Sequence, residues 1–385
     1  MQIITQADCT GASAEWPGHM RRAFELARSV LSCAPNPRVG CVVVRDGRRA
    51  GEGLHAGAGR DHAEIAALAA DPEGGAGATL FVTLEPCSHE GRTGPCTRAL
   101  IEAGVRQVVV AGLDPNPQVS GIPELEASGI EVFRFQDFAG EAADLNKGFL
   151  RRMDVGRPFV RCKLAMSLDG RTALANGQSK WITDAEARAD AQLLRAGSCA
   201  ILTGVNTILA DDPALNVRPN ALTGGERELA EARLLEAGQP PRVILDSKLR
   251  TPAEAKTLSL EGDVKIFSLR DQGAAGGYPD NVEVITAPAR QERVNLEFVL
   301  NCLAARFECN EILVEAGPIL GGALAAAGLV DELVIYLGAR LLGSDARPLL
   351  EFDGPDSLTQ AEALKIVEVS AVGDGLKIIA RSAAG

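Results

Sequence analysis

The feature that most constrains this chain is a set of three potential metal ligands, two of which follow a predicted buried strand. His62-Ala63-Glu64 comes first, the apolar residues Thr79 to Leu84 follow, and Pro86-Cys87 and then Cys96 come after them. One imidazole and two thiolates suit zinc, and three protein ligands leave the fourth tetrahedral position for water. This pattern is typical of a catalytic zinc site, and the fold has to bring the three ligands to one point.

Glu64 lies two residues from the histidine and is placed to move protons rather than to bind metal. His-x-Glu followed by Pro-Cys and a second Cys is the signature of zinc deaminases. Zinc activates a water molecule in such sites, and Glu64 would take its proton and deliver protons to the ring nitrogen and the leaving amine. The alternatives are a structural zinc knuckle or two unligated core cysteines. The spacing is unusual, because eight residues separate Cys87 from Cys96.

Length and charge restrict the class of partner. The chain has 385 residues, a formal net charge of -12 and 46% hydrophobic residues. This length predicts two or three domains. An acidic chain is a poor general binder of nucleic acid, which is bound by basic surfaces that displace counterions. We therefore expect small-molecule partners and no nucleic acid.

Cysteine usage and the N-terminal residues bear on the compartment. Nine cysteines are scattered without a disulfide framework, and only Cys87 and Cys96 have ligand context, which indicates a reducing compartment. Residues 1–15 lack the basic and apolar regions of a signal peptide and are predicted to be a loose tail. The longest mostly apolar run, near Pro318 to Val330, is too short to span a bilayer. The expected location is the cytoplasm, without membrane attachment.

Periodicity predicts an α/β layered domain over residues 16–150. Apolar residues recur at helical spacing from Trp16, and His62 and Glu64 open a second helix. Strands are expected at 39–44, 79–84 and 105–111, with a helix at 97–103. Asp114-Pro115-Asn116-Pro117 follows the last of these strands, where α/β sheets place ligand groups.

Three further polar residues of this half are candidates for substrate binding. The chain has four histidines, and we favour ligand contacts for His55 and His89 over a role as plain loop residues. Asn36 stands between two prolines, so a rigid turn presents its side chain. Its alternative role, as a turn residue only, stays open.

Together these motifs resemble one known family. They are Pro35-Asn36-Pro37-x-Val39-Gly40, His55-x6-His62-Ala63-Glu64, Thr83-Leu84-Glu85-Pro86-Cys87-Ser88-His89-x-Gly91-Arg92-Thr93-x-Pro95-Cys96 and Asp114-Pro115-Asn116-Pro117. They are similar to the deaminase half of the bifunctional riboflavin biosynthesis deaminase/reductases. The resemblance implies a cytidine-deaminase-like α/β/α domain that deaminates a diaminopyrimidinone ribosylamine 5'-phosphate. Gly94 replaces the usual second proline, and 119–123 is one residue short of the family's Gly-rich form.

A charged segment, 146–158, is predicted to link this domain to a second α/β domain over residues 151–385. Strands are expected at 159–165, 200–203, 242–246, 264–268, 282–285 and 332–337, the last of these being the final strong strand. A helix is expected from Asp184 to Arg195 with Thr183 or Asp184 as its N-cap, and 219–241 is expected to be a surface insertion.

Two features of this half suggest ligand binding, each with a plainer alternative. Arg188 and Arg195 lie seven residues apart on one helix face, and Arg195 is expected to face a site, although both can be solvated. Ile312 to Ala323 runs from a strand through a Gly-rich turn into a helix whose first amides can face phosphate. No Gly-x-Gly-x-x-Gly is present, so the glycines can serve helix–strand packing instead.

The motifs of the second half resemble the reductase half of the same family, whose fold is similar to dihydrofolate reductase and which uses NADPH. They are Lys163-x-Ala165-x-Ser167-Leu168-Asp169-Gly170, Trp181-Ile182-Thr183, Asp211-Asp212-Pro213-x-Leu215 and Glu315-Ala316-Gly317-Pro318. The resemblance implies NADPH contacts at Ala165, Trp181, Thr207, Asp211, Ser247, Gly317, Pro318, Ile319, Leu320, Gly321, Gly322 and Ala323. It implies substrate contacts at Lys163, Ser179, Arg195, Leu215, Arg218 and Glu315. Arg195 and Arg218 would suit a 5'-phosphate, because guanidinium groups match phosphate geometry.

The prediction is therefore two enzymes in tandem: a zinc-dependent deaminase followed by a reductase that uses NADPH to convert the ribosyl group to ribityl. Lys163 and Glu315 are the ionisable candidates near hydride transfer, and which of them acts as acid stays open. We expect a homo-oligomer, because many such enzymes assemble. One alternative is another nucleotide deaminase with a non-reductase C-terminal domain. The other is a non-catalytic binding protein with a structural zinc.

Overall fold

The chain forms two compact units in a computed structural model that describes residues 1–90, 94–271, 273 and 277–382. The units are Met1–Gly156 and Arg157–Gly385. Residues 91–93 of the cysteine-bearing motif lie outside the described residues. Within the described part of the chain, none of the helices has the length and apolarity needed to cross a membrane.

The first unit is built on a six-stranded sheet. Its strands are β1 (Gln2–Ile4), β2 (Gly40–Arg45), β3 (Arg48–Leu54), β4 (Thr79–Leu84), β5 (Gln107–Gly112) and β6 (Glu131–Phe135). The order across the sheet is β1-β6-β5-β4-β2-β3. Strands β1, β6, β5 and β4 are parallel, and β2 runs antiparallel to both β4 and β3. Strand β4 is buried along its whole length, as expected for a strand covered on both faces.

Helices cover both faces of this sheet. They are α1 (Trp16–Arg28), α2 (Ala63–Ala70), α3 (Cys96–Glu102), α4 (Gly121–Ala127), α5 (Ala139–Leu145) and α6 (Lys147–Val155). One core contains residues of α2, α3 and α4, and the other contains residues of α1 and α5. Alternate residues of β2 illustrate the division, because Val43 enters the first core and Val42 the second. The α/β/α architecture expected for this half is confirmed.

Two segments of the first unit differ from expectation. The expected loose tail contains β1, which pairs with β6 in parallel register from Gln2 opposite Phe133. The short strand lacks a periodic signal of its own and depends on the β6 edge for its hydrogen bonds. The expected linker is largely helical, because α6 spans Lys147–Val155 and buries Phe149. Gly156, with φ of 74°, ends this helix in the left-handed conformation that glycine accepts most readily.

The second unit contains a nine-stranded sheet. Its strands and the short flanking strands are β7 (Phe159–Ser167), β8 (Arg171–Ala173), β9 (Ala200–Gly204), β10 (Arg242–Leu245), β11 (Val264–Ser268), β12 (Val282–Thr286), β13 (Ala289–Arg290), β14 (Arg293–Val294), β15 (Glu311–Val314), β16 (Glu332–Gly338), β17 (Arg347–Pro348), β18 (Leu364–Val372) and β19 (Gly375–Ser382). The main sheet has the order β12-β11-β10-β9-β15-β7-β16-β19-β18. Its first seven strands are parallel, and the last two are antiparallel additions.

Helices also flank the second sheet. They are α7 (Ala185–Ala196), α8 (Val205–Asp211), α9 (Gly224–Ala237), α10 (Lys256–Ser259), α11 (Leu296–Ala305) and α12 (Pro318–Ala326). Residues of α11 and α12 share one core with β7, β10 and β15, whereas residues of α8 and α10 share another with β10 and β11. Asp184 is the N-cap of α7, and its carboxylate accepts a hydrogen bond from the backbone N–H of Ala187 at 2.8 Å.

One expectation for the second unit is wrong. Strand β16 is not the final strand, because β18 and β19 form a hairpin that extends the sheet beyond it. The strands of this hairpin are joined at Gly373 and Asp374, a turn signal that the sequence carries. The segment 219–241 lies at the surface as expected, because most residues of its helix α9 are exposed; the helix itself was not predicted.

Candidate active sites

The zinc-ligand candidates of the first unit come from three different elements. His62 is the N-cap residue of α2, Cys96 is the first residue of α3, and Cys87 lies in the loop after β4. The C-terminal end of a sheet strand and the N-terminal ends of two helices therefore converge. The helix ends favour negative charge, which suits thiolate ligands.

The distances between these ligand atoms fit one metal ion. His62 Nδ1 lies 3.2 Å from Cys96 Sγ and 3.4 Å from Cys87 Sγ. All three ligand atoms lie within 4.8 Å of one another. A tetrahedral zinc with ordinary bond lengths places nitrogen and sulfur ligands about 3.5 Å apart. The donor set and its spacing therefore fit zinc with a fourth position left for water.

The thiols of Cys87 and Cys96 are in direct contact. A hydrogen bond from the Cys96 thiol lowers the pKa of Cys87, and the same contact raises the pKa of Cys96. The backbone N–H of Cys96 also points at Cys87 Sγ, at 3.4 Å. Contact with Cys87 raises the pKa of His62. Negative charge is thus concentrated on the sulfur atoms, where a metal cation would neutralise it.

Glu64 is buried beside this cluster, with 4% of its surface exposed. Burial, followed by the negative charge of Cys87, raises its pKa to about 7. A carboxyl group with a pKa near neutrality can both accept and release a proton at physiological pH. The residue is therefore suited to proton transfer at this point.

His55 and Asn36 form a hydrogen-bonded wall next to the ligand cluster. The His55 ring lies 5.1 Å from the His62 ring, with 3% of the residue exposed. Its Nδ1 lies 3.0 Å from the carbonyl oxygen of Asp61, so Nδ1 donates, and its Nε2 lies 3.0 Å from Asn36 Nδ2, so Nε2 accepts. Burial lowers the pKa of His55, consistent with this neutral form.

His89 and Asp114 lie in the loops after β4 and β5, near Cys87. The Nδ1 atom of His89 is buried and makes no hydrogen bond to the residues that the structure describes. Burial raises the pKa of Asp114 to about 6; the nearby Glu85 and Cys87 add to this rise, whereas a hydrogen bond from the Asn116 N–H and the nearby His89 oppose it. The structure therefore brings the 114–117 loop next to the cysteine-bearing loop.

Glu85 is a residue whose role the sequence did not reveal. Its two carboxylate oxygens accept hydrogen bonds from the backbone N–H of Ile122 at 3.1 Å and of Asp114 at 3.4 Å. A second link joins the same two segments, because the backbone N–H of Ser120 donates to Ser88 Oγ at 2.7 Å. The Glu-Pro-Cys spacing puts Glu85 close to a ligand candidate, but its partners lie in the loop after β5 and at the start of α4.

Four charged residues gather in the second unit. Arg195 donates to the two oxygens of Glu315, from Nε at 2.5 Å and from a terminal nitrogen at 2.9 Å, and also to the carbonyl oxygen of Asn216 at 2.9 Å. Burial acts to raise the pKa of Glu315, but Arg195 and then Lys163 more than offset it, so that pKa is lowered. Burial lowers the pKa of Lys163, and partial burial of the guanidinium, followed by the charge of Arg195, lowers that of Arg218.

The two arginines that were both predicted to bind a phosphate have different surroundings. The Arg195 guanidinium is already hydrogen-bonded to Glu315. Most of the Arg218 residue is exposed, and its backbone N–H donates to Gln192 Oε1 at 2.9 Å. Among the residues that the structure describes, its guanidinium has no hydrogen-bond partner. Arg218 is therefore better placed than Arg195 to reach a phosphate group.

Predicted NADPH contacts follow the C-terminal ends of three neighbouring parallel strands. Thr207 follows β9, Ser247 follows β10 and Gly317 follows β15. The carboxyl edge of a parallel sheet is where such sheets bind ligands. Gly317 is the N-cap of α12, and a Cβ atom added there would meet nothing within 4 Å. The helix N-terminus is thus accessible to a phosphate group, which fits a dinucleotide.

Some of the predicted contacts have structural explanations instead. Leu215 is 3% exposed and its side chain packs in a core with Ile208 and Ile244, so contact with a ligand would have to be through its backbone. Cβ atoms at Gly321 and Gly322 would approach Leu350 and Glu351 at 2.9 and 2.1 Å, so these glycines allow close packing of α12.

The remaining predicted residues occupy varied positions. Trp181 is 61% exposed, and the Arg188 guanidinium lies 4.1 Å from its ring centre. Asp211 is exposed at the end of α8, Ser179 is half-buried in the loop before α7, and Ala165 is half-buried in β7. Pro318, Ile319 and Leu320 form the first turn of α12, and Ala323 lies in its middle.

Both halves match known protein families. Residues 16–112 match the cytidine and deoxycytidylate deaminase zinc-binding region, and residues 158–378 match the RibD C-terminal domain. The second match does not favour the alternative of a non-reductase C-terminal domain.

Similar proteins and structures cover nearly the whole chain. The riboflavin biosynthesis protein RibD of Escherichia coli K12 is 46% identical over 92% of this chain and 96% of its own length. That of Haemophilus influenzae is 44% identical over 93% and 95%. RibD of Acinetobacter baumannii superposes with a TM-score of 0.84 at 41% identity, covering 95% of this chain and 98% of its own. The diaminohydroxyphosphoribosylaminopyrimidine deaminase/5-amino-6-(5-phosphoribosylamino)uracil reductase of Thermotoga maritima gives 0.81 at 31%, covering 96% and 99%.

These matches confirm the expected fold class, in which a cytidine-deaminase-like unit precedes a dihydrofolate-reductase-like unit. They also confirm the expected enzymatic class and its two cofactors, zinc and NADPH. The chain belongs to the RibD family of riboflavin biosynthesis proteins and is a bifunctional deaminase/reductase.

Proposed function

We propose that the first unit deaminates 2,5-diamino-6-(5-phosphoribosylamino)pyrimidin-4-one and that the second reduces the product, 5-amino-6-(5-phosphoribosylamino)uracil, at its ribosyl side chain. The observation that carries this proposal is the convergence of His62, Cys87 and Cys96 on one point beside the buried Glu64. The names of these reactions are those of the Thermotoga maritima relative, which is similar along the whole chain.

In the deaminase, His62, Cys87 and Cys96 would hold zinc, which when bound supplies Lewis acidity for the activation of water. Glu64 would accept a proton at its carboxylate and deliver protons to the ring nitrogen and the leaving amine, so that ammonia leaves and a carbonyl remains. We assign His55 and Asn36 to one wall of the pyrimidine pocket and His89 to the other.

In the reductase, NADPH when bound supplies the hydride. We assign Arg218 to the substrate phosphate, and we assign Arg195 to holding Glu315 in one orientation. Lys163 and Glu315 would bind the opened sugar and manage the proton that accompanies hydride transfer. Ser179 and the backbone of Leu215 would complete the substrate contacts.

For NADPH itself, we assign the phosphate contacts to the first turn of α12 from Gly317 onward, with Thr207 and Ser247 at the neighbouring strand ends. Ala165, Trp181 and Asp211 remain proposed contacts. Gly321 and Gly322 would contribute through helix packing.

The domain boundaries and the setting of the enzyme are also proposals. We place the deaminase at 16–150 and the reductase at 151–385, and we propose a cytoplasmic enzyme that does not bind nucleic acid. The net charge of -12 supports the last point, and the nine cysteines, which form no disulfide bond within the described residues, are compatible with a reducing compartment. We further propose a homo-oligomer that assembles through β18, as argued in the Discussion.

The proposal is tested with purified zinc-loaded protein and its Glu64→Gln variant. The diaminopyrimidinone phosphate is supplied with and without NADPH, and ammonia and nicotinamide absorbance are followed. We expect ammonia without NADPH, and NADPH oxidation only when the deaminated product is present. Glu64→Gln should lower ammonia release by about a hundredfold or more and retain reduction of added deaminated substrate.

Two outcomes would contradict parts of this proposal. Ammonia release without NADPH oxidation would leave the deaminase assignment and refute that of the reductase. Unchanged ammonia release in Glu64→Gln would show that this carboxyl group does not transfer the protons.

A further inference from the structure

Contacts other than hydrogen bonds set the position of the Lys163 ammonium. The residue is half-buried in β7, and within the residues that the structure describes its ammonium makes no hydrogen bond. Its neighbours Glu315 and Arg195 are already bonded to each other through both carboxylate oxygens. A flexible four-carbon side chain is therefore left to be oriented by packing.

The ring of Tyr336 supplies that packing. The Lys163 nitrogen lies 5.6 Å from the centre of the Tyr336 ring, within the range of a cation–π contact. Tyr336 belongs to β16, next to β7, where it pairs with Ala165 while Lys163 pairs with Val334. With 1% of its surface exposed, the tyrosine is fixed in the interior.

The orientation of the ring is itself fixed by a charged pair on two other elements. The Tyr336 hydroxyl donates a hydrogen bond to the carboxylate of Asp190, on α7. The same carboxylate oxygen lies 2.7 Å from the Lys377 ammonium, on β19. Helix α7 also carries Arg195, so one rigid element holds both the tyrosine hydroxyl and the Glu315 carboxylate.

We propose that Tyr336, held by Asp190, is a positioning residue of the reductase, whose ring seats the Lys163 ammonium toward Glu315. This inference rests on the proposed role of Lys163 in reduction. The ring face stabilises the charged form of the lysine, which opposes the effects of burial and of Arg195. Asp190 and Lys377 form a neutralised pair behind the ring, so the ring rather than a net charge is what faces Lys163.

A pH profile distinguishes this role from general support of the fold. The titratable groups around Lys163 are Glu315 and the Cys162 thiol, which favour its protonated form, and Arg195, which disfavours it. Removing the ring removes a further stabilisation of the protonated form. The alkaline limb of the reductase rate, where Lys163 loses its proton, should then move to lower pH.

The experiment compares Tyr336→Leu, Tyr336→Phe and Asp190→Asn in the full-length protein, with added deaminated substrate and saturating NADPH. Tyr336→Leu should lower kcat about tenfold and move the alkaline limb down by roughly half a pH unit. Tyr336→Phe keeps the ring and should lose less, and Asp190→Asn should shift the limb in the same direction. In a separate titration with NADPH, its Michaelis constant should stay within about twofold of the original value.

The chain offers matched controls. Tyr278, the other tyrosine, donates its hydroxyl to the carbonyl oxygen of Thr251, so Tyr278→Phe removes the same atom elsewhere in this unit. Deaminase activity of each variant reports on the other unit. If Tyr336→Leu fails to fold, Asp190→Asn carries the test, because Asp190 is partly exposed.

The outcomes separate this inference from the proposed function. Equal profiles for Tyr336→Leu, Asp190→Asn and Tyr278→Phe would refute the positioning role. Loss of activity in Lys163→Gln together with those equal profiles would refute this inference alone. Full reductase activity in Lys163→Gln would refute the role of Lys163 and this inference with it.

Discussion

Glu64 is a carboxyl group in an environment that suits its neutral form when no metal is bound. It is 4% exposed and lies near the negative charge of Cys87, and its pKa is raised to about 7. A carboxyl group that is more acidic in the unfolded chain than in the native state costs stability as it ionises. Proton transfer and stability of the zinc-free protein therefore make opposite demands on this residue.

Glu64→Gln should stabilise the zinc-free first unit at alkaline but not at acidic pH. Because the native pKa is raised, the stability that the neutral form contributes is fully present below the unfolded pKa near 4.5 and is lost as pH rises through about 7. We expect the variant to gain roughly 2–3 kcal/mol at pH 8 and little at pH 4.5.

Denaturant unfolding followed by Trp16 fluorescence measures this difference. In a Trp181→Phe background Trp16 is the only tryptophan, and its ring lies 5.6 and 5.2 Å from the rings of Phe81 and Phe133 in the same unit. Zinc-loaded protein is the control, since a nearby cation favours the carboxylate. Equal stabilities at pH 8 would show that Glu64 is not held neutral.

The two active sites differ in how much of them the sequence predicts at the level of residues. His62, Glu64 and Cys87 were identifiable because one short spacing rule joins ligand chemistry to proton transfer. Asp190 and Tyr336 were not, because they lie on α7 and β16, far apart in the chain. An aspartate in an amphipathic helix and a tyrosine in an apolar strand look like surface and core residues until the fold brings them together.

The loop after β4 and the loop after β5 act as one structural element through Glu85. This carboxylate accepts hydrogen bonds from the backbone N–H groups of Asp114 and Ile122. At Gly121 an added Cβ atom would lie 2.0 Å from the carbonyl oxygen of Pro86, so the two loops are in close contact there. The position of the 114–117 loop beside the ligand cluster therefore depends on Glu85.

Glu85→Gln should raise the Michaelis constant of the deaminase and leave its zinc content unchanged. A glutamine retains one carbonyl oxygen but presents an N–H₂ group to one of the two backbone donors, so one charge-assisted bond is lost. We expect an increase of about tenfold in KM. Steady-state kinetics with metal analysis of the same samples gives both quantities.

Glu90→Gln is the matched control for this prediction. Glu90 lies in the same loop, and its side chain is 71% exposed in a pair with Arg98. The variant should have the KM of the original protein. Loss of zinc in parallel with activity in Glu85→Gln would instead assign Glu85 to the metal ligands. An unchanged KM would show that Glu85 does not position the 114–117 loop.

At the level of elements, prediction succeeded where a segment is buried by its own pattern. Strands such as β4 are continuous apolar runs bounded by turn residues, and their limits were predicted closely. Strand β1 and helix α6 were missed because β1 obtains its partner from a distant edge and α6 has a charged composition. Local sequence carries little information on either contact.

The second sheet ends in a strand whose exposure needs an explanation at the scale of the whole molecule. Strand β18 forms one edge of the nine-stranded sheet, and most of its residues are exposed. The exposed fractions of Leu364, Ile366 and Val369 are 46%, 61% and 56%. An edge strand also presents unpaired backbone groups, and a long apolar edge is typical of an interface or an aggregation site.

A second copy of the chain is the occupant that this edge suits best. Two identical strands can pair antiparallel about a two-fold axis, which closes the assembly at a dimer. Strand β18 has a register shift between Ile366 and Glu368, so Lys365 and Glu368 share one face and Leu364 and Val369 share the other. With the axis between Ile366 and Val367, Lys365 of one copy would lie opposite Glu368 of the other, and Leu364 opposite Val369. The charges and the apolar residues of β18 are therefore self-complementary in this register.

We expect the protein to be a dimer in solution and Ile366→Glu to dissociate it. In the register above, each copy would place a carboxylate in the apolar part of the interface, where burial of an unpaired charge is unfavourable. Sedimentation at micromolar concentration measures the mass.

Leu235→Glu is the control, because Leu235 is 92% exposed on α9 and the variant adds the same charge away from β18. A monomeric original protein, or a dimer that survives Ile366→Glu, would refute assembly through this strand. A dimer lost only in Ile366→Glu would explain why the chain keeps an apolar edge on an otherwise acidic molecule.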